Sequence, residues 1–285
     1  MTAPTEAPRV WFITGASSGL GRALAEAVLE RGERVVATAR EPARVADLEA
    51  AHPDQAVAVR LDVTDPDQAH DAVARALDAF GRIDVVVNNA GYGLFGALEE
   101  LSDEDLRRQF ETNLFGALHV TRAVLPHLRR RRGGHIVQIS SLDGIAPLGP
   151  GESAYAGSKF ALEGVSEVLA KEVAHLGIRV TTVEPGPVRT GFAGGATATP
   201  PEHEDYAESV GTALAWFAQL AGAQPNDPER AVRAILHAVD ADEPPLRLPL
   251  GEEAVAAIRA KLDRQRAELD AWERVAAGTG FASGG

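Results

Sequence analysis

Tyr155 and Lys159 lie four residues apart in a stretch of strong helical character, Ala154 to Ala174. At that spacing both side chains project from one helix face, a turn apart. A phenol with an ordinary pKa near 10 exchanges protons poorly at neutral pH, but a neighbouring ammonium favours the phenolate and brings it into working range. The pair is a candidate acid/base unit. Ser140 and Ser141 precede the tyrosine by fifteen and fourteen residues, at the end of a β-type run, close enough for a loop to return Ser141 toward the phenol, where its hydroxyl could polarise a carbonyl oxygen. Asn113, within Glu111-Thr112-Asn113-Leu114, occupies a helical stretch in which an amide that competes for backbone hydrogen bonds is slightly disfavoured. It is a fourth candidate or, equally, a surface asparagine. An isolated Tyr and Lys on a helix face would be ordinary; the company they keep singles them out.

A second constellation could hold a dinucleotide. The run Thr14-Gly15-Ala16-Ser17-Ser18-Gly19-Leu20-Gly21 follows a β-type segment and opens a helical one. In that context a glycine-rich turn offers backbone N–H groups and a helix N-terminus to phosphate. Gly15 permits the tight turn, Gly19 lets the backbone approach a pyrophosphate and Gly21 allows close helix packing, with Ser17, Ser18 and Leu20 completing the turn. The spacing is G-x3-G-x-G, not the commoner G-x-G-x-x-G, and a purely structural strand-to-helix turn is the other reading. The letters also satisfy G-x-S-x-G, the nucleophile elbow of α/β-hydrolases, but that elbow follows an inner strand and an oxyanion loop, whereas this turn follows the first strand. Arg40 closes the second β-type run where an acid would hold ribose hydroxyls, and Ala39 beside it is neutral, so a 2′-phosphate would meet a cation. Arg22 is a second such candidate, and either arginine could instead be a solvated charge. NADP(H) is the expected cofactor, with NAD(H) as the other candidate.

Such a site needs a parallel sheet behind it. From Arg9 to about Leu250, short β-branched runs alternate with Ala-rich stretches of helical period. Strands are predicted at Val10 to Thr14, Arg34 to Ala39, Ala56 to Leu61, Val85 to Asn88, His135 to Ser140, Arg179 to Val183 and, more weakly, Leu246 to Leu248. Asp65-Pro66 and Ser102-Asp103-Glu104 read as helix starts. The fold class expected is α/β: one Rossmann-like, doubly wound parallel sheet of about seven strands, helices on both faces and a C-terminal helical extension. The 285 residues are read as a single domain, 1–285, with a dinucleotide-binding and catalytic core at 9–190, a substrate loop or lid at 191–227 and a C-terminal helix at 252–276. A frayed tail follows, Gly278 to Gly285.

Composition narrows the partners. Lys and Arg total 28 against 41 Asp and Glu, an excess of acid that repels polyanions, so nucleic acid is not an expected partner. The basic run Arg129 to Arg132 is expected to complement a helix C-terminus in water. There is no cysteine, the eight histidines show no H-E-x-x-H or similar spacing, and no metal is expected. The N-terminus has no leader-like apolar run and no segment approaches the roughly 18 apolar residues of a membrane span; the expectation is a cytoplasmic protein.

Taken together, the motifs resemble the short-chain dehydrogenase/reductase family over nearly the whole stretch from Val10 to about Thr190. The resemblance is carried by TGASSGLG at 14–21, Asp62-Val63, Asn88-Asn89-Ala90-Gly91, Asn113, Ser140-Ser141, Tyr155-Ala156-Gly157-Ser158-Lys159 and Pro185-Gly186-Pro187-Val188-Arg189-Thr190. It implies hydride transfer between a nicotinamide dinucleotide and a carbonyl or alcohol carbon. Asp62 and Val63 would bracket the adenine, and Asn89, Ala90 and Gly91 would support the adenosine side. Val188 and Thr190, in the loop opened by Pro185 and Gly186, would hold the carboxamide. Tyr155 would be the acid/base, Lys159 would bind the nicotinamide ribose and lower the tyrosine pKa, Ser141 would steady the substrate oxygen, and Asn113 would position a relay water. One departure stands out: Ser141 to Tyr155 is one residue longer than the family spacing. The Pro- and Gly-rich loop between them can absorb it, and Leu142, which would restore the count, has no hydroxyl.

Three loops should set specificity: Tyr92 to Leu98, Leu142 to Ser153, and the excursion after Thr190. Tyr92, Leu94, Phe95, Leu148, Phe192, Trp216 and Phe217 suggest a hydrophobic ketone or secondary alcohol, and Lys159 to Gly164 is similar to members acting on steroids or retinoids. Trp216 and Phe217 could equally do no more than pack a lid helix. Two other functions use parts of the same pattern: a dinucleotide-retaining sugar-nucleotide epimerase or dehydratase, which typically carries a longer C-terminal substrate domain, and a non-catalytic dinucleotide sensor, which would have no use for Ser141, Tyr155 and Lys159. The family also implies a small-molecule substrate and a homo-oligomer, dimer or tetramer, joined through the helices around Glu104 to Leu128 and Ala154 to Ala174.

Overall fold

The computed structural model describes residues 7–281. Most of the N-terminal stretch read for a leader, and residues 282–285 of the predicted tail, lie outside it.

Strand β1 (Val10–Ile13) is buried on both faces: Trp11 and Ile13 point into one apolar cluster, Val10 and Phe12 into the other. That is why its sequence shows no polar alternation. Helix α1 (Gly19–Glu30) returns to β2 (Arg34–Ala39), and the short α2 (Ala46–Ala51) leads to β3 (Ala56–Arg60). Helix α3 (Pro66–Phe80) starts at Asp65, whose carboxylate accepts from the N–H groups of Asp67 and Gln68. After β4 (Val85–Asn88) the chain makes a two-residue strand β5 (Leu94–Phe95) and α4 (Asp103–Phe110), capped by the Ser102 hydroxyl. A π-turn over Glu111–Phe115 joins α4 to α5 (Gly116–Arg131). Then follow β6 (Gly134–Ile139), α6 (Ser153–Val173), β7 (Ile178–Pro185), α7 (Phe192–Gly195), β8 (Thr197–Ala198), α8 (Thr212–Leu220), α9 (Pro228–Asp240), β9 (Arg247–Leu250) and α10 (Glu252–Ala277).

The main sheet has seven strands in the order β3-β2-β1-β4-β6-β7-β9, every pair parallel. Helices α1 and α9 pack on one face and α3, α5 and α6 on the other. The chain runs outward from β1 in one direction to β3 and in the other through β4 to β9, so the loops after β1 and β4 diverge at the carboxyl end of the sheet. A crevice at such a switch point is where ligands bind in open α/β sheets.

All seven main strands were expected, two of them longer than read: pairing with β9 carries β7 on through Glu184 and Pro185. The second sheet, β5 against β8 with Leu94 opposite Thr197, was not expected, since two residues carry no period. The basic run differs too. Arg131 donates to the Ile83 carbonyl and to Asp84 at 2.8 Å each, and Arg132 donates to the His175 carbonyl at 3.0 Å, so part of it ties the edge of the fold together. No described helix is long and apolar enough to cross a membrane. Beyond β9 the described chain holds one helix and no further substrate domain.

Candidate active site

A cleft of about 920 Å³ opens at the carboxyl end of the sheet, near the top of the ~300–1,000 Å³ range of small-molecule and cofactor sites. It is lined by Gly15, Ser17, Ser18, Gly19 and Leu20 from the first turn, Arg40 after β2, and Asp62 and Val63 after β3. Asn89, Ala90 and Gly91 after β4, and Pro185, Gly186, Val188 and Thr190 after β7, complete that side; Ser141, Tyr155 and Lys159 lie on its floor. Of the predicted residues, Gly21 and Asn113 stand behind the wall, and Arg22 is turned away from it.

The first turn is built for close approach. Gly15 has φ +65°, and a Cβ there would sit 3.0 Å from the Ala90 Cα. A Cβ on Gly21 would collide with the Asn89 amide and lie 2.6 Å from the Gly15 carbonyl, so α1 can pack this tightly only without a side chain. Asn89 holds the turn from below, donating to the carbonyls of Thr14 at 3.0 Å and Gly15 at 3.2 Å. Ser18 at the start of α1 makes no side-chain cap, and the first turn of that helix carries no acid. Its free N–H groups and positive dipole end therefore face the cleft, and these features fit a pyrophosphate.

Arg22 does not contribute there: its guanidinium is held by Asp47 and Glu26. Arg40 lines the cleft and is exposed, and Arg44, which the sequence reading passed over, joins it. No carboxylate ends β2.

On the floor, Tyr155 is buried, with Phe95 and Phe192 ring centroids 5.5 and 5.7 Å from its own. Phe217 packs on Phe95 at 4.6 Å, and Trp216, half exposed, lines the mouth. Helix α8 has no buried residue; it covers the cleft instead of extending the core. Lys159 is buried and donates to the Ile139 carbonyl at 2.8 Å. Burial lowers its pKa from 10.5 to about 8, against the pull of Glu163 and Asp143.

The phenol does not follow the expectation that Lys159 would lower it. Burial first, then the Asp143 and Glu152 carboxylates, push Tyr155 well above its ordinary value, while the Ser141 hydroxyl opposes the rise. Ser141 also accepts from the Asp143 N–H at 3.1 Å. Burial and the neighbouring Glu152 raise the Asp143 carboxyl from 3.8 to about 7, and burial raises Glu152. The sequence reading placed this loop at the site without singling out either acid; Asp143 two residues after Ser141 was the available signal.

Asn113 sits in the π-turn, where the helical ladder slips by one residue, a feature frequent at functional sites. Its amide donates to the Tyr92 carbonyl at 2.9 Å and to the Ser158 hydroxyl at 3.1 Å, and accepts from the Tyr92 N–H at 3.1 Å. Ser158 in turn donates to the Tyr155 carbonyl at 2.7 Å. Asn113 thus braces the loop after β4 against the helix that carries the phenol, and it is no surface residue. Among the described residues, no group of three His, Asp or Glu is placed to hold a metal ion.

Residues 9–200 match the family model described as short chain dehydrogenase. The chain is 44% identical over 248 residues to oxidoreductase BOA17 of Botryotinia fuckeliana, spanning 87% of this chain and 90% of that one. It is 40% identical over 255 residues to human retinol dehydrogenase 8, spanning 85% and 81%. Among solved structures, a short-chain dehydrogenase from Streptomyces avermitilis superposes with a TM-score of 0.89 at 46% identity, over 97% of this chain and 100% of that one. A Burkholderia phymatum enzyme in complex with NAD scores 0.80 at 26% identity, over 92% and 95%. A Burkholderia cenocepacia enzyme in complex with NADP scores 0.72 at 28%, over 92% and 96%.

Proposed function

The chain belongs to the short-chain dehydrogenase family, oxidoreductases that act on CH–OH groups with a nicotinamide dinucleotide, and from that premise we propose that it interconverts a hydrophobic ketone or aldehyde and its alcohol with NADP(H), using Tyr155 as acid/base. The observation that carries the reading is the buried phenol beneath the aromatic wall of Phe95, Phe192 and Phe217, with Ser141 beside it and Lys159 one turn along.

When bound, the dinucleotide supplies the hydride in reduction and takes it up in oxidation. Ser141 and Tyr155 hold the substrate oxygen, and Tyr155 delivers its proton in reduction or removes it in oxidation. Burial and the nearby carboxylates keep the Tyr155 phenol protonated near neutrality, the form that delivery of a proton in reduction requires. Lys159 supplies positive charge beside the phenol and a donor toward ribose hydroxyls. Asn113 is a positioning residue that fixes the Tyr92 turn and α6 relative to each other. The turn from Gly15 to Gly21 receives the pyrophosphate, Asp62 and Val63 flank the adenine, and Val188 and Thr190 meet the carboxamide. Arg40, with Arg44, favours a 2′-phosphate over a bare ribose.

A panel of aromatic, aliphatic and steroid ketones read by NADPH absorbance tests the reading, repeated with NADH. Turnover of the bulkier apolar ketones with NADPH, lost in Tyr155→Phe, is expected; no turnover with any member, or unchanged turnover in Tyr155→Phe, overturns it. For assembly, exposed Phe115 on the π-turn and Phe160 and Val168 on α6 are the apolar side chains through which a homo-oligomer would form.

A further inference from the structure

Helix α10 leaves the body of the protein after two turns. Ala254, Ala257 and Ile258 pack against Leu142 and Ala146, and Lys261 Nζ lies 5.6 Å from the Phe160 ring centroid. From there to Ala277 nearly every residue is exposed, among them Leu262, Leu269 and Trp272 at 55, 64 and 67%. These are not scattered. Ile258, Leu262, Gln265, Leu269, Trp272 and Ala276 succeed one another at alternating intervals of four and three, the spacing that keeps one seam facing a partner helix. The seam continues the face by which Ile258 packs on the body, but past Lys261 the body no longer reaches it. A solitary helix of this length is marginal in water unless its apolar face is covered.

Charge along the helix says what covers it. Residues 259–266 carry Arg259, Lys261, Arg264 and Arg266 against Asp263, a net charge of +3; residues 268–274 carry Glu268, Asp270 and Glu273 against Arg274, a net charge of −2. A second copy laid antiparallel sets the basic half of one helix on the acidic half of the other, whereas a parallel copy sets like on like. The exposed part of the seam is symmetric about Ala267 under the same operation: Leu262 meets the partner's Trp272, and Gln265 meets the partner's Leu269. One two-fold axis thus satisfies both the apolar layers and the charges, as an isologous contact requires. An anionic bilayer fits less well, because the acidic half and the net charge of −13 repel it.

We propose that α10 is a self-association arm: two copies of the chain pair through an antiparallel two-helix zipper centred on Ala267, separate from the dinucleotide cleft. The exposed seam that pairs, Leu262 to Trp272, spans about 15 Å at ~1.5 Å per residue, so the contact is weak by itself and depends on protein and salt concentration.

The absence of cysteine makes a clean test available. Arg259→Cys and Glu273→Cys, which flank the seam and leave its apolar layers intact, are treated with a short bismaleimide separately and as an equimolar mixture. Antiparallel pairing yields covalent dimer in the mixture and little in either variant alone. Dimer in each variant alone indicates parallel pairing and overturns the proposal, as does no dimer in any sample. In parallel, sedimentation velocity compares the parent with Leu262→Glu/Leu269→Glu/Trp272→Glu, whose sites are exposed and whose melting temperature is expected to match the parent. The expected result is a species one assembly step smaller, with high salt moving the parent the same way. An unchanged sedimentation coefficient, or binding of the parent but not the variant to phosphatidylserine vesicles without self-association, overturns it.

Discussion

The two sides of the cleft differ in what holds them. On the β1–β4 side the Thr14 hydroxyl accepts from the N–H groups of Asn89 at 2.9 Å and Ala90 at 3.0 Å, and Thr38 donates to the Ile13 carbonyl at 3.1 Å. Buried polar groups there are tied to backbone at the sheet ends. Across the cleft, Val210 is the only buried residue among the described side chains of 191–220. That segment hangs on the two-residue pairing of β5 with β8, on Glu100 accepting from the N–H groups of Glu202 and His203 at 3.0 and 2.8 Å, and on Tyr206 donating to Glu99 at 2.5 Å. The first side is a fixed mould, the second a cover whose opening costs little core burial. A rigid half suits a cofactor shared by a whole family; a weakly held half lets one member choose its own substrate.

The largest effect lies where the two sides meet. Tyr155→Phe keeps the ring packing with Phe95 and Phe192 but removes the proton, so kcat falls about 10²–10⁴-fold, the usual contribution of positioned acid/base catalysis, while the dinucleotide Kd stays within a factor of about two. Steady-state kinetics with fluorescence titration of NADPH checks it, and a parallel loss of cofactor affinity would place the phenol on the rigid side instead.

Next comes the mould itself. In Gly21→Ala the new methyl meets the Gly15 carbonyl and the Asn89 amide, and overpacking of this kind costs about 1–3 kcal/mol. Urea unfolding is expected to register that loss together with weaker NADPH binding. Unaltered stability would show that this turn yields as readily as the cover. Arg40→Asp, on the rim of the same side, leaves stability alone and changes choice. Charge-assisted hydrogen bonds contribute about 1.5–3 kcal/mol, so the NADPH-to-NADH ratio of kcat/KM is expected to drop roughly 10- to 100-fold.

The same contrast explains what could be read in the amino-acid sequence. Parallel strands buried on both faces must be unbroken apolar runs, and the turn after β1 has no room for a side chain at 15 and 21, so the seven strands, to within two residues at their ends, and the glycine turn were legible in the sequence. Tyr155 and Lys159 were legible because a helix fixes the geometry of an i, i+4 pair. The π-turn around Asn113 was not, since a one-residue slip in a helical ladder leaves no period; nor was β5–β8. Arg22 and Arg40 carry the same charge in sequence; Glu26 four residues on and Asp47, brought up by the fold, engage the first, while the second stays exposed. The rise of the Tyr155 phenol depends on how deeply the site is buried and on where Asp143 and Glu152 stand, and neither follows from spacing along the chain.

On the cover, Phe217→Ala removes one aromatic contact with Phe95, the kind that contributes about 0.5–1.5 kcal/mol. KM for a bulky ketone should rise roughly 2- to 10-fold with kcat changed less. A kcat collapse comparable to Tyr155→Phe would mean that the cover positions the phenol and that the two sides are not independent.

The smallest effect expected is thermal, and its sign follows from the direction of one shift. The folded protein holds a proton on Asp143 up to about pH 7, against an ordinary carboxyl value of 3.8, so folding binds that proton more tightly. Below pH 3.8 the group is protonated folded or unfolded and costs nothing. Between there and pH 7 the unfolded chain releases the proton more readily, stability falls as pH rises, and above 7 the whole penalty is present. Asp143→Asn removes the penalty, so the variant should melt above the parent at pH 8 and converge with it at pH 4, each kcal/mol moving Tm by about 2–4 °C in a chain of this size. Glu184, raised to about 7 by burial and by Glu163, has the same sign but is present in both proteins and cancels in the difference. Lys159, lowered to about 8, is fully charged over most of this window and adds no slope there. Relief of the Asp143 charge also removes one of the causes that raise the Tyr155 phenol, so the limb on which kcat/KM for oxidation rises with pH should move to lower pH in the same variant. A melting difference that does not grow with pH would mean that Asp143 is as solvated as the cover above it.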